Sequence, residues 1–354
     1  MDTDFGSKEF QIRQKIKIRR MRSMKIYGTL GPACQSEAVL KKMFEYGMTG
    51  IRLNLSHTTL HDAAESIERM QCAAAAAGIE PELLIDMQGP ELRIGPLKES
   101  IQLQEGETVE FSDERDAPVQ IPEPSLSLIR PGQEILLDDG KILCRANEIC
   151  KDVVRAVVLR GGILSGRKSI AFPGLTVPMP AMTELDKVNI RCAQDYGVTG
   201  VMQPFVRSPQ DLKDVRCELE KAGARNIRLF AKIENAAGIE QVNALIPWAD
   251  EIVIARGDLG NAVPLWELPA VQKRIATACR NSDRDFMVVT QMLASMEHRA
   301  VPTRAEVSDI FNAVLDGTSS VMVTGETAAG NYPAEVIRYL VNTVRAAEKY
   351  IKST

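Results

Sequence analysis

Short apolar runs, rich in valine and isoleucine, recur along the chain. Each ends in polar or glycine residues and leads into a segment whose apolar positions have helical spacing. Eight runs begin near positions 25 (Lys25 to Thr29), 51 (Ile51 to Leu55), 83 (Leu83 to Ile85), 199 (Thr199 to Met202), 229 (Leu229 to Ile233), 251 (Glu251 to Ala255), 286 (Phe286 to Thr290) and 320 (Ser320 to Val323). Near-continuous apolar strands alternating with amphipathic helices predict a parallel sheet covered by helices. The intervals between starts are 26, 32, 116, 30, 22, 35 and 34 residues, and all but the third fit one strand plus one helix. The expected fold class is therefore α/β: a (β/α)8 TIM barrel of about 250 residues, carrying an insertion after its third strand.

The long third interval leaves roughly 85 extra residues beyond one ordinary unit, from about Pro96 to Val177. Their pattern changes to alternation, as in Ile101-Gln102-Leu103-Gln104, with turn signals at Pro122/Pro124 and Asp138-Asp139-Gly140 and a further strand pattern from Lys151 to Leu159. This predicts an inserted antiparallel β-domain, hinged at both ends and placed as a lid over the C-terminal face of the barrel. The expected boundaries are a basic leader at 1–23, the barrel at 24–95 and 175–354, and the β-barrel-like lid at 96–174. A closing helix from Pro333 to Ile351 starts with proline in its first turn.

Composition narrows the function classes. With 354 residues, 45% of them hydrophobic, the chain can bury a large core. A net charge of -4 and a pI near 5.7 argue against nucleic acid as the main partner. Seven scattered cysteines without a Cys-x-x-Cys pair read as reduced thiols of a cytoplasmic enzyme, and three histidines make a His-based metal site improbable. No apolar run reaches the ~18 residues of a membrane span, so no membrane partner is expected. The basic N-terminus lacks the apolar core of a secretory signal; a solvated leading helix is preferred over an anion-surface patch.

In such a barrel the chemistry sits at the C-terminal ends of the strands. Those ends supply Arg52, Asn54 and Ser56 from strand two, Asp86 from strand three with Glu91 and Arg93 beyond it, and Lys232 and Glu234 from strand five. Strand six adds Arg256 and Asp258, strand seven Thr290-Gln291, and strand eight Thr324 to Thr327. Each alone has a plainer reading: a strand-end Asp caps a helix, Arg52 makes a structural ion pair, Thr290 is a core hydroxyl. Six strands contributing polar groups at one end resist that reading, because barrel interiors are usually Val, Ile and Leu. Glu234 and Asp258 are hard oxygen ligands suited to Mg²⁺, while Lys232 and Arg52 can neutralise a phosphoryl group in transit. Asn54, Ser56 and Asp86 form an oxygen-rich cluster able to hold a second cation, and Thr290 could orient a water or pass a proton. No Walker-type loop occurs, which leaves His57, Arg93 and the Arg167-Lys168 pair as candidates for holding a nucleotide.

Several segments together resemble the pyruvate kinase family: Thr29-Leu30-Gly31-Pro32-Ala33, Arg52 to His57, Gly89-Pro90-Glu91-Leu92-Arg93, Leu137 to Gly140, Lys232 to Asn235, Ala255 to Gly260, Thr290 to Leu293, Pro302 to Glu306 and Gly325-Glu326-Thr327. The resemblance runs in order from about Arg22 to Lys349. It implies phosphoryl transfer from phosphoenolpyruvate to ADP, giving pyruvate and ATP. It also implies Mg²⁺ (or Mn²⁺) on Glu234 and Asp258, and substrate contacts from Arg52, Lys232, Gly257, Asp258 and Thr290. By the same resemblance Lys232 stabilises the transferring phosphoryl, Arg52 holds the phosphate and Thr290 helps protonate the enolate. Asn54, Ser56, Asp86 and the Met87 carbonyl stand at the K⁺ positions, with Glu91 the residue type tied to K⁺ dependence. On the nucleotide side stand His57, Arg93, Lys168 and Asn54.

The chain departs from the family pattern at Met87-Gln88 (usually Thr-Lys), Pro204 (serine), Ala171 (asparagine) and Ala329 (lysine). The chain stops soon after its eighth helix, so the resemblance also implies no C-terminal effector domain, no activation by fructose 1,6-bisphosphate, and a homo-oligomer, a dimer, assembled through the barrel face. Two other readings stand beside it: another Mg²⁺-dependent barrel enzyme, such as a lyase or aldolase, and a silent paralogue that senses a phosphometabolite.

Overall fold

The computed structural model describes residues 24–353 except positions 57, 115 and 176. The leader and His57 lie outside the described residues. Three strands precede the insert: β1 (Lys25–Thr29), β2 (Gly50–Asn54) and β3 (Glu82–Asp86). The insert carries β4 (Ile101–Leu103), β5 (Thr108–Ser112), β6 (Val119–Gln120), β7 (Glu134–Leu137), β8 (Ile142–Cys150), β9 (Val153–Arg160), β10 (Gly162–Leu164) and β11 (Ile170–Ala171). Five more follow: β12 (Gly200–Gln203), β13 (Arg228–Ile233), β14 (Glu251–Ala255), β15 (Asp285–Val289) and β16 (Ser320–Met322). Strands β1 to β3 and β12 to β16 close into an eight-stranded, all-parallel barrel in the order β1-β16-β15-β14-β13-β12-β3-β2. The α/β barrel with a second, β-rich unit is thus the fold.

Alternation along each strand sorts the side chains into two sets. Ile26, Ile51, Leu83, Ile85, Val201, Leu229, Ile252 and Val288 face outward into a large core beneath the helices. The other set lines the barrel and is layered along its axis. On β3 the inward series is Glu82, Leu84, Asp86; on β13 it is Arg228, Phe230, Lys232; on β1 it is Lys25, Tyr27, Thr29. The middle layer is apolar, but its residues are Tyr27, Phe230, Met202, Met287 and Met322 as well as the expected branched types. Aromatic rings and unbranched methionines fill a space flanked above and below by charge, where small branched residues would leave voids.

The lower layer is a closed polar network. Glu82 pairs with Lys25 at 2.6 Å and accepts from the Tyr27 hydroxyl, and Arg228 reaches Glu251 at 2.7 Å, which also accepts from Ser319 and Ser320. It satisfies the buried charge at the bottom of the barrel and leaves the opposite end for chemistry.

The insert has its own buried cluster, from Ile94 through Phe111, Ile135 and Val154 to Val177. Its main sheet runs β11-β7-β8-β9-β5-β6, antiparallel except for the parallel β5–β6 pair, beside a two-stranded β10-β4 ribbon. Helix starts on the barrel are capped as their sequences dictate: Ser36 accepts from Val39, and Thr183 and Thr303 form capping boxes with Asp186 and Glu306. The closing helix spans Pro333–Ser353. Among the described residues no helix is long and apolar enough to cross a membrane.

Phe230 is fully buried at the centre of the barrel, with the Arg228 guanidinium 4.7 Å from its ring centroid. Phe230→Ala should lower the unfolding free energy by about 3–5 kcal/mol in chemical denaturation.

Candidate active site

The site forms where the inward faces of β2, β3 and β13 reach the top of the barrel. Strand register places Asn54 opposite Asp86, and β12 lies between β3 and β13. Asp86 is buried and takes two cations. Arg52 donates to Asp86 Oδ2 from Nε at 2.8 Å and from Nη2 at 2.7 Å, and Lys232 Nζ lies 3.0 and 3.2 Å from the two carboxylate oxygens. Lys232 is also 2.9 Å from Glu234 Oε1, so the same-face pairing read from their two-residue spacing holds. The second Glu234 oxygen accepts the Phe205 backbone N–H at 2.9 Å, from a residue in the left-handed region (φ 51°).

Among the described residues Asp258 is a carboxylate at this end that makes no ion pair with the string. Asp258 lies in the first turn of the short helix Arg256–Ala262 that follows β14, not on the strand itself. Burial pushes Asp258 above the usual carboxylate range; Lys232 opposes this, while Glu91 and Asp139 add to it. Burial likewise pushes Glu234 up to about 7, against the pull of Lys232 and with added repulsion from Asp258 and Asp86. Asp86 behaves oppositely: burial is outweighed by Lys232 and Arg52, and its pKa falls. Burial would lower the Lys232 ammonium, but Asp86 and Glu234 hold it above its ordinary value. Two carboxylates that repel each other in a dry setting fit a divalent cation, which takes few protein ligands and keeps its other positions for water or substrate oxygens. Among the described residues no group of three or more His, Cys, Asp or Glu side chains gathers at metal-binding spacing, so such an ion would rest on this pair.

Thr290 follows β15 with φ 75°, a strained conformation for a β-branched residue, and Gln291 follows at φ 55°. Gly257 lies against the Thr290 side chain: a Cβ there would sit 3.1 Å from Thr290 Cγ2. Arg256, read from sequence as another inward cation, instead donates to the Thr290 carbonyl from Nε (3.0 Å) and Nη2 (2.8 Å), and pairs with Asp309 at 2.6 Å. Its guanidinium is committed to holding the loop that carries Thr290.

The insert closes one side of a cavity of about 370 Å³ whose walls include Glu91, Asp139, Ala171, Phe205, Arg207, Glu234 and Asp258. The Asp138-Asp139-Gly140 turn reaches the barrel: a Cβ on Gly140 would be 2.7 Å from Asn261 Oδ1. Two of the nucleotide-side cations, Arg93 and Lys168, are occupied. Arg93 donates to Glu91 at 2.8 Å and to the Arg167 carbonyl at 2.9 Å, and Lys168 pairs with Asp138 at 2.8 Å. Asn54 accepts from the Ser56 N–H at 3.2 Å, and the Met87 side chain is buried in the outer core.

Sequence reading missed Asp186. Its carboxylate accepts the backbone N–H groups of Gln88 (2.8 Å) and Gly89 (3.0 Å), fixing the turn out of β3 from the far side of the insert. The signal was present as Thr183-x-x-Asp186, a capping-box spacing. Phe205 had no such signal, because its contribution is a backbone N–H.

Residues 21–337 match the family model described as pyruvate kinase, barrel domain. The chain belongs to the pyruvate kinase family. It is 36% identical over 337 residues to a pyruvate kinase of Bacillus licheniformis, covering 93% of this chain and 58% of the relative. To that of Geobacillus stearothermophilus it is 37% identical, covering 90% and 55%, and to that of Thermococcus litoralis 36% identical, covering 93% and 70%. The chain thus spans little more than half the length of the first two relatives.

The raised Glu234 pKa has a defined sign. Without metal, its protonated form favours the folded state; that stability is fully present below the ordinary 4.5 and is lost as pH rises through about 7. Thermal unfolding of metal-free protein across this window should show the decline, and Glu234→Gln should flatten it. Mg²⁺ affinity, followed by titration calorimetry, should rise over the same window as the carboxyl loses its proton.

Proposed function

We propose that this chain catalyses phosphoryl transfer from phosphoenolpyruvate to ADP, giving pyruvate and ATP. The observation that carries the reading is Lys232, buried between Asp86 and Glu234 (3.0 and 2.9 Å) and next to the Glu234/Asp258 pair, in a chain of the pyruvate kinase family. The two acids keep the ammonium charged and aimed, so it can meet negative charge on the phosphoryl group without reorganising. Arg52, locked on Asp86, presents its remaining N–H groups to the phosphate. Thr290, in its strained turn, would assist proton delivery to the enolate carbon, with Gly257 beside it.

Glu234 and Asp258 would hold Mg²⁺ or Mn²⁺, which would supply charge neutralisation at the phosphoryl oxygens. Asn54, Ser56, Asp86 and the Met87 carbonyl are proposed for K⁺. Arg93, Lys168, His57 and Asn54 are proposed for the nucleotide, with Arg93 and Lys168 exchanging their present carboxylate partners for phosphate oxygens. The boundaries 24–95 and 175–354 for the barrel and 96–174 for the lid belong to the same proposal. So does assembly as a homo-oligomer through the barrel, for which the exposed neighbours Leu265 and Trp266 offer an apolar surface. The described cysteines Cys34, Cys72, Cys144, Cys150, Cys192 and Cys217 are free thiols, which suits a cytoplasmic setting. A second reading, a phosphometabolite sensor without turnover, draws on Gln88 and Ala171, which replace a lysine and an asparagine.

Pyruvate release from phosphoenolpyruvate should require ADP and Mg²⁺ and should increase with K⁺. Release without ADP would point to a lyase or phosphatase-like activity, the phosphoryl group then passing to water or another acceptor, and binding without release to the sensor. Lys232→Ala should cut turnover by several orders of magnitude while Mg²⁺ still binds in calorimetry, because the ammonium acts mainly in the transition state.

A further inference from the structure

The segment Gln203 to Arg207, from the last residue of β12 into the loop after it, touches both connections to the insert and the carboxylate of Glu234. Gln203 is buried and donates to the Ala181 carbonyl at 2.7 Å. Pro204 packs against the entry turn so closely that a Cβ on Gly89 would fall 2.3 Å from Pro204 Cγ. Phe205 gives its N–H to Glu234. Arg207 then grips the return connection: Nη2 donates to the Met179 carbonyl at 2.6 Å and Nη1 to Val177 at 3.2 Å. The same guanidinium is braced on Asp211, with Nη2–Oδ1 at 3.0 Å and Nε–Oδ2 at 3.2 Å.

Val177 belongs to the core of the insert, whereas Met182 belongs to the core of the barrel. Arg207 therefore clamps the short stretch on which the two cores part. A planar fork with fixed donors suits this role, since it can satisfy a carboxylate and two carbonyls at once; a lysine cannot. Five consecutive residues thus join three things that could otherwise move independently.

We infer that Gln203–Arg207 couples the position of the inserted domain to the occupancy of Glu234, with Arg207 as the positioning residue that transmits it. The inference rests on the reading of Glu234 as a cation ligand. A cation that fixes the Glu234 carboxylate fixes Phe205, and through the rigid loop it fixes the carbonyls that Arg207 holds. By linkage, the factor by which the cation favours the clamped hinge is the factor by which the clamped hinge favours the cation, so loosening the clamp should weaken the cation.

The exposed Cys150 on the insert and Cys72 on the barrel allow a direct test. With Cys192 and Cys217 changed to serine, nitroxides on the remaining pair report the insert-to-barrel distance distribution by double electron–electron resonance. Mg²⁺ should narrow that distribution in the parent protein. Arg207→Met should broaden it and abolish the narrowing, and should weaken Mg²⁺ about fivefold or more in calorimetry. Arg207→Lys should recover part of the narrowing and covers the case in which the methionine variant folds poorly. An unchanged distribution in both variants, or equal narrowing by Mg²⁺ with and without Arg207, overturns the coupling. The distances need no turnover, so an inactive protein that still responds to Mg²⁺ would support the coupling and count against the kinase reading.

Discussion

The chain of charges Arg52–Asp86–Lys232–Glu234 is the constraint on which the top of the barrel depends. Each member is largely withdrawn from water, and burying any of these charges without its partners would be costly. Together they alternate in sign, and each interior member has an opposite charge on both sides. Breaking such a buried string at one point leaves an unpaired charge, at a cost of about 3–5 kcal/mol. The barrel geometry makes the string possible, because β2, β3 and β13 present alternate residues to one cramped interior.

The same layering separates stability from chemistry. At the bottom, Glu82, Arg228 and Glu251 saturate each other and the hydroxyls around them. In the middle, Tyr27, Phe230 and the methionines seal the interior. At the top the charges do not cancel: among the described residues Asp258 has no ion pair of its own, and burial drives the pKa values of Asp258 and Glu234 upward. An excess of buried negative charge facing a cavity is the physical form of a cation site.

The loops complete what the strands begin, and they do so at visible cost. Phe205, Thr290 and Gln291 all occupy the left-handed region without being glycine. Each is held by a specific group: Phe205 by Glu234, and Thr290 and Gln291 by Arg256 through their carbonyls. Arg256 and Arg207 share one device, a guanidinium braced on an aspartate and gripping backbone carbonyls of a neighbouring segment. Such clamps keep irregular segments in one conformation without adding bulk to the cavity.

The eight strands, the long third interval and the inward polar ends were legible in the sequence, because hydrophobic alternation and strand-to-helix spacing are local properties of the chain. Observed strand limits differ from the expected ones by a few residues at most; β12, for example, runs Gly200–Gln203 in place of Thr199–Met202. The pairing of Lys232 with Glu234 was legible too, since two residues apart on a strand means one face. What only the tertiary structure decided is which charges meet across strands distant in sequence. Asp86 and Lys232 are 146 positions apart and Arg256 and Asp309 are 53 apart, and no local pattern records either contact. Arg256, read as one of the inward polar strand ends, is a loop clamp; Asp186 showed only a capping-box spacing and Phe205 no signal, yet they hold the entry turn and Glu234. Residue type fixes what a side chain can do, but closure of the barrel and docking of the insert select its partner, because partner choice depends on distances that the sequence does not encode locally.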